Sequence, residues 1–292
     1  MSHAFERIAL IAKTGDSHVA DTLVRLADDL AARGVAVVLD RSAADYFQNP
    51  SHDVAEREQL AGRCDLAIVV GGDGTLLHVA RSLADTDIPV LGVNLGRLGF
   101  LADVSPDETR QRLTEILAGD YQEERRTLLH ATQLRDGRVV SESAALNDVV
   151  VHKGDIARMI EIETRIDGCF LNSLRADGLI IATPTGSTAY ALSGGGPILH
   201  PTLSATVLVP ICPHTLTNRP IVIDDRSTIE VSVCGATHVD AQITCDGQVN
   251  FGLEPGDRIE IRRKERELRL LHPAGHDHFQ VMRRKLRWAE QP

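Results

Sequence analysis

The chain divides into two parts of different class. The first is an α/β domain built on a doubly wound, mostly parallel sheet. The second is a β-rich carboxy-terminal domain, after which a tail helix packs back on the first. Three observations in the 292 residues predict this. Up to about residue 120, short apolar runs alternate with helical spacing, the pattern of right-handed crossovers onto a parallel sheet. Beyond residue 125, β-prone segments are punctuated by Asp-Gly pairs, the signal of tight hairpins. The stretch 276–290 then returns to helical spacing.

Element by element, RIALIA (7–12) reads as a strand. In 17–33, Val19, Leu23, Leu26 and Leu30 recur at helical spacing, with Gly34 as the terminating residue. VAVVLD (35–40) is a second strand, and a weaker helix follows around 53–61. DLAIVV (65–70) is apolar on both faces, as the buried middle of a parallel sheet requires. Residues 75–84 resume helical spacing and PVLGVN (89–94) is another strand. The helix 105–120 carries a capping box, Ser105 with Glu108, with Pro106 first in the helix and Gly119 closing it. In the second part Asp136-Gly137, Asp167-Gly168 and Asp177-Gly178 mark turns, and 227–235, 238–251 and 257–271 read as strands. One helix interrupts them near 187–193. In the tail, Phe279, Met282, Leu286 and Ala289 share a face. The expected boundaries are 1–125, joined by the tail 275–292, and 126–274.

Composition removes several classes of function. Apolar residues make up 43 % and charged residues 25 %, as in ordinary globular chains, while aromatics at 3 % leave the core to aliphatic side chains. No run approaches the ~20 apolar residues of a membrane span. MSHAFERIALIA lacks the basic, apolar and small-residue regions of a signal peptide, so a cytoplasmic protein is expected. Five scattered cysteines without a CxxC pair argue against a disulfide framework or a zinc site. A net charge of −10 argues against nucleic acid, because the basic segments 261–270 and 282–288 read as solvated faces. An anionic ligand would therefore be held locally, by backbone N–H groups and a few cations.

Four stretches carry candidate chemistry, although phosphate-loop, GxSxG and HExxH signatures are absent. In GGDGT (71–75), Gly71, Gly72 and Gly74 permit positive φ and close approach. With Thr75 opening a helix, the turn is a phosphate cradle. Asp73 at its centre is either a helix cap or a functional group, a base for an attacking hydroxyl or a carboxylate that positions a metal; the flanking glycines and its place at a strand's carboxyl end favour a functional role. NLGRLGFL (94–101) supplies a second glycine turn beside the first. Asn147-Asp148 opens the strand LNDVVVH, as an Asx turn or as acceptors for a vicinal diol. RADGLIIATPTGSTAYALSGGGP (175–197) has the small polar residues of a ligand-lining loop, more than a packed core needs.

These stretches, with PHTLTNRP (213–220), resemble the bacterial NAD kinases, the ATP/polyphosphate-NAD kinase family, in order and spacing over essentially the whole chain. The resemblance implies transfer of the γ-phosphate of ATP to the 2′-hydroxyl of the adenosine ribose of NAD, forming NADP. Asp73 would be the general base and an NAD contact, and the adjacent Gly74 a further contact to NAD. Asn147 and Asp148 would hold the adenosine part of NAD, and Arg175 and Asp177 would face its other end. Thr188, Ala189, Tyr190, Ala191, Leu192 and Ser193 would line the pocket, with Arg158 and Gln248 as further contacts. The family commonly has Glu where Asp148 stands, so this side chain is one methylene shorter. His78, a helical turn beyond the glycines, reads as structural. Mg²⁺ or another divalent cation would come with ATP rather than on protein ligands. A homo-oligomer, dimer or tetramer, is also implied.

Two other functions compete. A diacylglycerol-type lipid kinase shares GGDGT, but its apolar acceptor leaves Asn147, Asp148 and the polar stretch 183–193 without a purpose. A non-catalytic NAD(P)-binding sensor has no need of Asp73.

Overall fold

In the computed structural model, the described residues are 4–13, 15, 17–47, 51–96, 99–102, 104–154, 159–234 and 241–288. The elements alternate first: β1 (Arg7–Ala12), α1 (Ser17–Ala32), β2 (Ala36–Asp40), α2 (Arg41–Ala44), β3 (Asp53–Ala55), β4 (Leu66–Val70) and α3 (Asp73–Ser82). β5 (Val90–Val93), α4 (Thr109–Leu117) and β6 (Tyr121–Arg126) complete this part. Strands then dominate: β7 (Leu129–Arg135), β8 (Arg138–Ala145), β9 (Asp148–Lys153), β10 (Ile160–Ile166), β11 (Cys169–Ala176) and β12 (Gly178–Ala182). After a short helix α5 (Tyr190–Ser193) come β13 (Ala205–Ile211), β14 (Ile221–Asp224), β15 (Ile229–Cys234), β16 (Ala241–Cys245), β17 (Val249–Leu253) and β18 (Arg258–Arg263). β19 (Leu268–Pro273) and α6 (His278–Leu286) end the chain's described part. Two units result, Met1–Arg125 with Leu268–Pro292, and Arg126–Glu267.

The first unit holds a seven-stranded sheet in the order β3-β2-β1-β4-β5-β19-β6. The pairings β3–β2, β2–β1, β1–β4, β4–β5 and β5–β19 are parallel. Ile8 and Leu10 pack with Val19, Leu23 and Leu30 of α1 and with Leu113 and Ile116 of α4. Ala9 and Ile11, pointing the other way, are also fully buried, so the sheet is covered on both faces. α1 and α4 end at Gly34 (φ +80°) and Gly119 (φ +89°). There the Val35 N–H donates to Leu30 O and the Asp120 N–H to Glu115 O, the closing bonds that a left-handed residue permits.

Four expectations are corrected here. The segment 53–61 forms the edge strand β3 and a single 3-10 turn, because β2 offers a free parallel edge at Val38–Asp40. α4 starts at Thr109, since the Ser105 hydroxyl donates to the Glu108 carboxylate (2.8 Å) and no side chain caps the backbone. Residues 268–274 do not continue the second unit: β19 leaves β18 and pairs with β5. α6 buries Val281 and Met282, leaving Phe279 exposed, while Ala289 lies outside the described residues.

The second unit has two six-stranded sheets, β11-β10-β15-β18-β7-β8 and β14-β13-β12-β9-β16-β17. Ile162, Val231 and Ile261 of the first pack with Val151, Ile181 and Ile243 of the second. Asp136-Gly137, Asp167-Gly168 and Asp246-Gly247 have positive φ at both positions and make hairpins. Asp177-Gly178 does not. Gly178 lies against the Val151 carbonyl, and the chain there passes from one sheet to the other. The outer face of β12 and β13 is covered by Ala191 and Leu199, from the stretch singled out in the sequence.

Candidate functional site

In the first unit, β4 delivers the chain to the glycine turn and α3 begins at Asp73, with Gly72 as its N-cap in extended conformation. The Asp73 side chain does not cap α3. Its Oδ2 accepts the Phe100 N–H at 2.8 Å, and its Oδ1 accepts those of Leu101 and Ala102 at 3.2 Å. Residues 100–102 are therefore folded around this carboxylate, and a Cβ on Gly99 would overlap it. None of Gly71, Gly72 and Gly74 has positive φ, so of the two expected reasons for them only close approach remains. A Cβ on Gly71 would come within 2.6 Å of Thr75 Oγ1, and Gly72 faces open room. That room is a cavity of about 400 Å³ lined by Ala12, Lys13, Gly72, Gly74 and Thr75. It brings the amino end of α3, the positive end of the helix dipole, together with Lys13. Lys13 went unnoticed in the sequence, where a single lysine ending an apolar run gives no signal.

His78 is solvent-exposed on α3. Partial burial and the nearby Arg57 and Arg81 hold its imidazole below the usual value, so it is neutral at pH 7. It lines neither of the cavities described here.

The second unit has a cavity of about 500 Å³ that brings together Asn147, Asp148, Asp177, Ala189 and Tyr190, five of the residues proposed from sequence. Among the residues it adds are four polar ones that were missed: His152, Lys153, Thr244 and Asp246. Asp246 is the most informative of these. Its carboxylate accepts the N–H groups of Leu146 (3.1 Å), Asn147 (2.7 Å) and Asp148 (3.3 Å), which sets the Asn147-Asp148 corner. The Asp-Gly hairpin signal at 246–247 was its only mark in the sequence. Asp148 is 5 % exposed. Burial, and then the charge of Asp246, push its carboxyl up to about 7. Lys153 Nζ lies 2.7 Å from Asp177 Oδ1, so the acid beside the cavity is paired.

The polar stretch 183–188 is held by its own hydroxyls. Thr183 and Ser187 are fully buried. The Thr183 hydroxyl donates to Leu146 O at 2.6 Å and accepts the Gly186 N–H, while Ser187 Oγ accepts the Leu199 N–H at 2.9 Å. Thr185 accepts from Arg126 at 3.2 Å. These hydroxyls fold the loop, and only its end, Ala189 and Tyr190, reaches the cavity. Thr188 is bonded to Thr185 O, and Ala191 is fully buried in the apolar cluster over β12, so neither offers its side chain as a wall. Leu192 is partly buried and Ser193 exposed. Arg175 is exposed on the edge strand β11, and Gln248 is exposed in the β16–β17 hairpin; neither lines the cavity. Arg158 lies outside the described residues.

Comparison with known proteins fits both halves. Residues 8–121 match the ATP-NAD kinase N-terminal domain and 146–272 the ATP-NAD kinase C-terminal domain. The chain belongs to the NAD kinase family. It is 49 % identical to the NAD kinase of Nitrosococcus oceani over 291 residues, covering 100 % of this chain and 99 % of the relative. The NAD kinase of Chromohalobacter salexigens is 49 % identical over 287 residues, 98 % of each chain. Among solved structures, yeast NADH kinase complexed with NADH superposes with a TM-score of 0.90 at 25 % identity, covering 98 % of this chain and 89 % of that one. An NAD kinase from Archaeoglobus fulgidus in complex with ATP gives 0.76 at 30 %, covering 96 % and 98 %. As an NAD kinase, the chain has an established fold and reaction class, and the question becomes which of its residues act.

Proposed function

We propose that the protein transfers the γ-phosphate of ATP to the 2′-hydroxyl of the adenosine ribose of NAD, giving NADP, with Asp73 as the general base. The observation that carries this reading is the setting of Asp73. A carboxylate has about four lone-pair sites, and the backbone of 100–102 takes three. The Asp73 Oδ2 atom, with one N–H bond, keeps an acceptor position for a ribose hydroxyl. The carboxylate cannot swing away, so the base is held in place before substrate arrives. The adjoining cavity has the amino end of α3, with its helix dipole, and Lys13 for a triphosphate. Phosphoryl transfer needs mainly such positioning and charge neutralisation. Mg²⁺ usually binds through waters and substrate phosphates rather than an all-protein cage. Lys13, Thr75 and backbone, with no carboxylate among the described residues of the cavity walls, suit a cation that arrives on ATP.

Asn147 and Asp148 would hold the adenosine moiety, Asp148 accepting from the ribose diol, with Tyr190 as a stacking surface 48 % exposed. Asp177, paired to Lys153, would bound the other end. No described helix is long and apolar enough to cross a membrane, and we assign the protein to the cytoplasm. A homo-oligomer is supported by Phe170 and Leu171 on β11 and Val139 and Val140 on β8, exposed apolar residues on the two edge strands of one sheet.

The test is Asp73→Asn. Turnover is expected to fall by ~10²–10⁴-fold, the usual contribution of a placed base, while NAD still binds in calorimetry. The amide NH₂ also faces an N–H donor of the 100–102 turn, so the variant should melt earlier. A variant that turns over at nearly the parental rate sinks the assignment.

A further inference from the structure

The first unit carries a cluster of ligating side chains that phosphoryl transfer does not use. His272 stands at the end of β19, 1 % exposed, with Nε2 3.0 Å from Glu124 Oε2 on β6. Gly275 (φ +81°) then turns the chain, and His276 comes back over His272. The two rings stack with centroids 3.8 Å apart and planes 20° from parallel. One ligand atom from each of Glu124, His272 and His276 lies within 4.8 Å of the other two.

We propose that Glu124, His272 and His276 form a binding site for one divalent transition metal ion of the zinc class. The ion would tie β6, the end of β19 and the turn leading to α6 together. Two imidazoles and a carboxylate are a donor set that Zn²⁺ prefers and that Mg²⁺, which favours oxygen, does not. The His-x₃-His spacing of 272–276 is one that zinc sites use. Ligands at ~2.0–2.1 Å in a tetrahedron stand roughly 3.3 Å apart, and the His272–Glu124 pair at 3.0 Å is already near that. His276 needs only a rotation of its half-buried ring to bring a nitrogen into the same sphere, leaving the fourth position to water. The carboxylate offsets half of the ion's charge, and both imidazoles bind neutral. The site lies in a strand-turn-helix junction with no glycine cradle, so it is a structural clamp and separate from the cation carried by ATP.

The bland alternative is a His272–Glu124 hydrogen bond covered by a stacked ring. Titration of the chelator-stripped, full-length protein with Zn²⁺, without nucleotide, distinguishes them by calorimetry. One equivalent per chain is expected. Binding should weaken at least 10–100-fold in Glu124→Gln and His276→Ala, since even outer partners of ligands cost that much. Zn²⁺ should raise the melting temperature of the parent and not of His276→Ala. Substituting Co²⁺ gives a visible d–d spectrum, and His276→Cys, which retains a ligand, should keep the ion and add a thiolate charge-transfer band. That band also decides the matter if His276→Ala folds poorly. Binding weaker than about 100 µM, unchanged affinity in His276→Ala, or a His276→Cys protein without the new band would overturn the proposal.

Discussion

At the scale of single residues, two aspartates perform the same structural task in the two units. Asp73 gathers the N–H groups of 100–102, and Asp246 gathers those of 146–148. Each fixes a turn that no regular element would hold. Asp148, buried beside Asp246, bears the consequence: its carboxyl is raised from 3.8 to about 7, first by burial and then by the neighbouring charge. Between these values the folded chain keeps a proton that the unfolded chain has released. Protons are then bound in excess by the native state, so stability falls as pH rises through the window and levels off above it. The size is on the order of a few kcal/mol at most. Chemical denaturation of Asp148→Asn from pH 5 to 8 should lack this decline and leave the variant more stable than the parent at pH 8. The same proton opposes diol binding, because the ionised carboxylate accepts on both oxygens whereas protonation turns one of them into a donor. NAD affinity of the parent should therefore strengthen as pH rises from 6 to 8, a slope that calorimetry would find absent in the variant.

At the scale of elements, the loop after β12 shows how polar sequence becomes scaffold. Thr183, Thr185 and Ser187 use their hydroxyls on Leu146, Arg126 and Leu199, and a Cβ on Gly186 would overlap the Asn147 backbone. Gly186→Ala should thus displace Asn147 and weaken NAD binding at least tenfold, as misplacement of a contact by ~1 Å does. Gly252→Ala on β17, with nothing within 4 Å of the added carbon, should bind NAD like the parent. The stretches that line the two cavities stood out in the sequence because glycines, Asp-Gly pairs and isolated carboxylates interrupt apolar strands. Their division of labour did not. A buried threonine and a ligand-facing one look alike until the backbone groups around them have coordinates. Asp246 was hidden for the converse reason, since an Asp-Gly pair announces a hairpin whether or not its carboxylate reaches another strand.

At the scale of the whole chain, local spacing identified β1, α1, β4, α3 and the change to β-rich sequence after residue 125, because both faces of each element are set by nearby residues. It could not assign β19 to a sheet, since that depends on a partner some 180 positions away in the chain: Leu270 pairs with Val90 and Leu271 with Leu91. β19 is inserted between β5 and β6, and Arg269 bonds both Glu123 (2.6 Å) and the Asp87 carbonyl (2.9 Å). The first unit is therefore incomplete until the end of the chain has been made. A fragment of residues 1–125 has β5 and β6 with the strand between them missing, exposing two unpaired edges and the surface that Leu270 and Leu271 cover. The fragment 126–267 keeps both of its sheets and the core between them. Thermal unfolding followed by circular dichroism should give 126–267 a cooperative transition and 1–125 none. Adding a separate peptide of residues 268–292 to 1–125 should restore a transition, through pairing with β5. A cooperative melt of 1–125 alone would mean that β5 and β6 can close the sheet without β19, and that the returning strand is dispensable to the unit it completes.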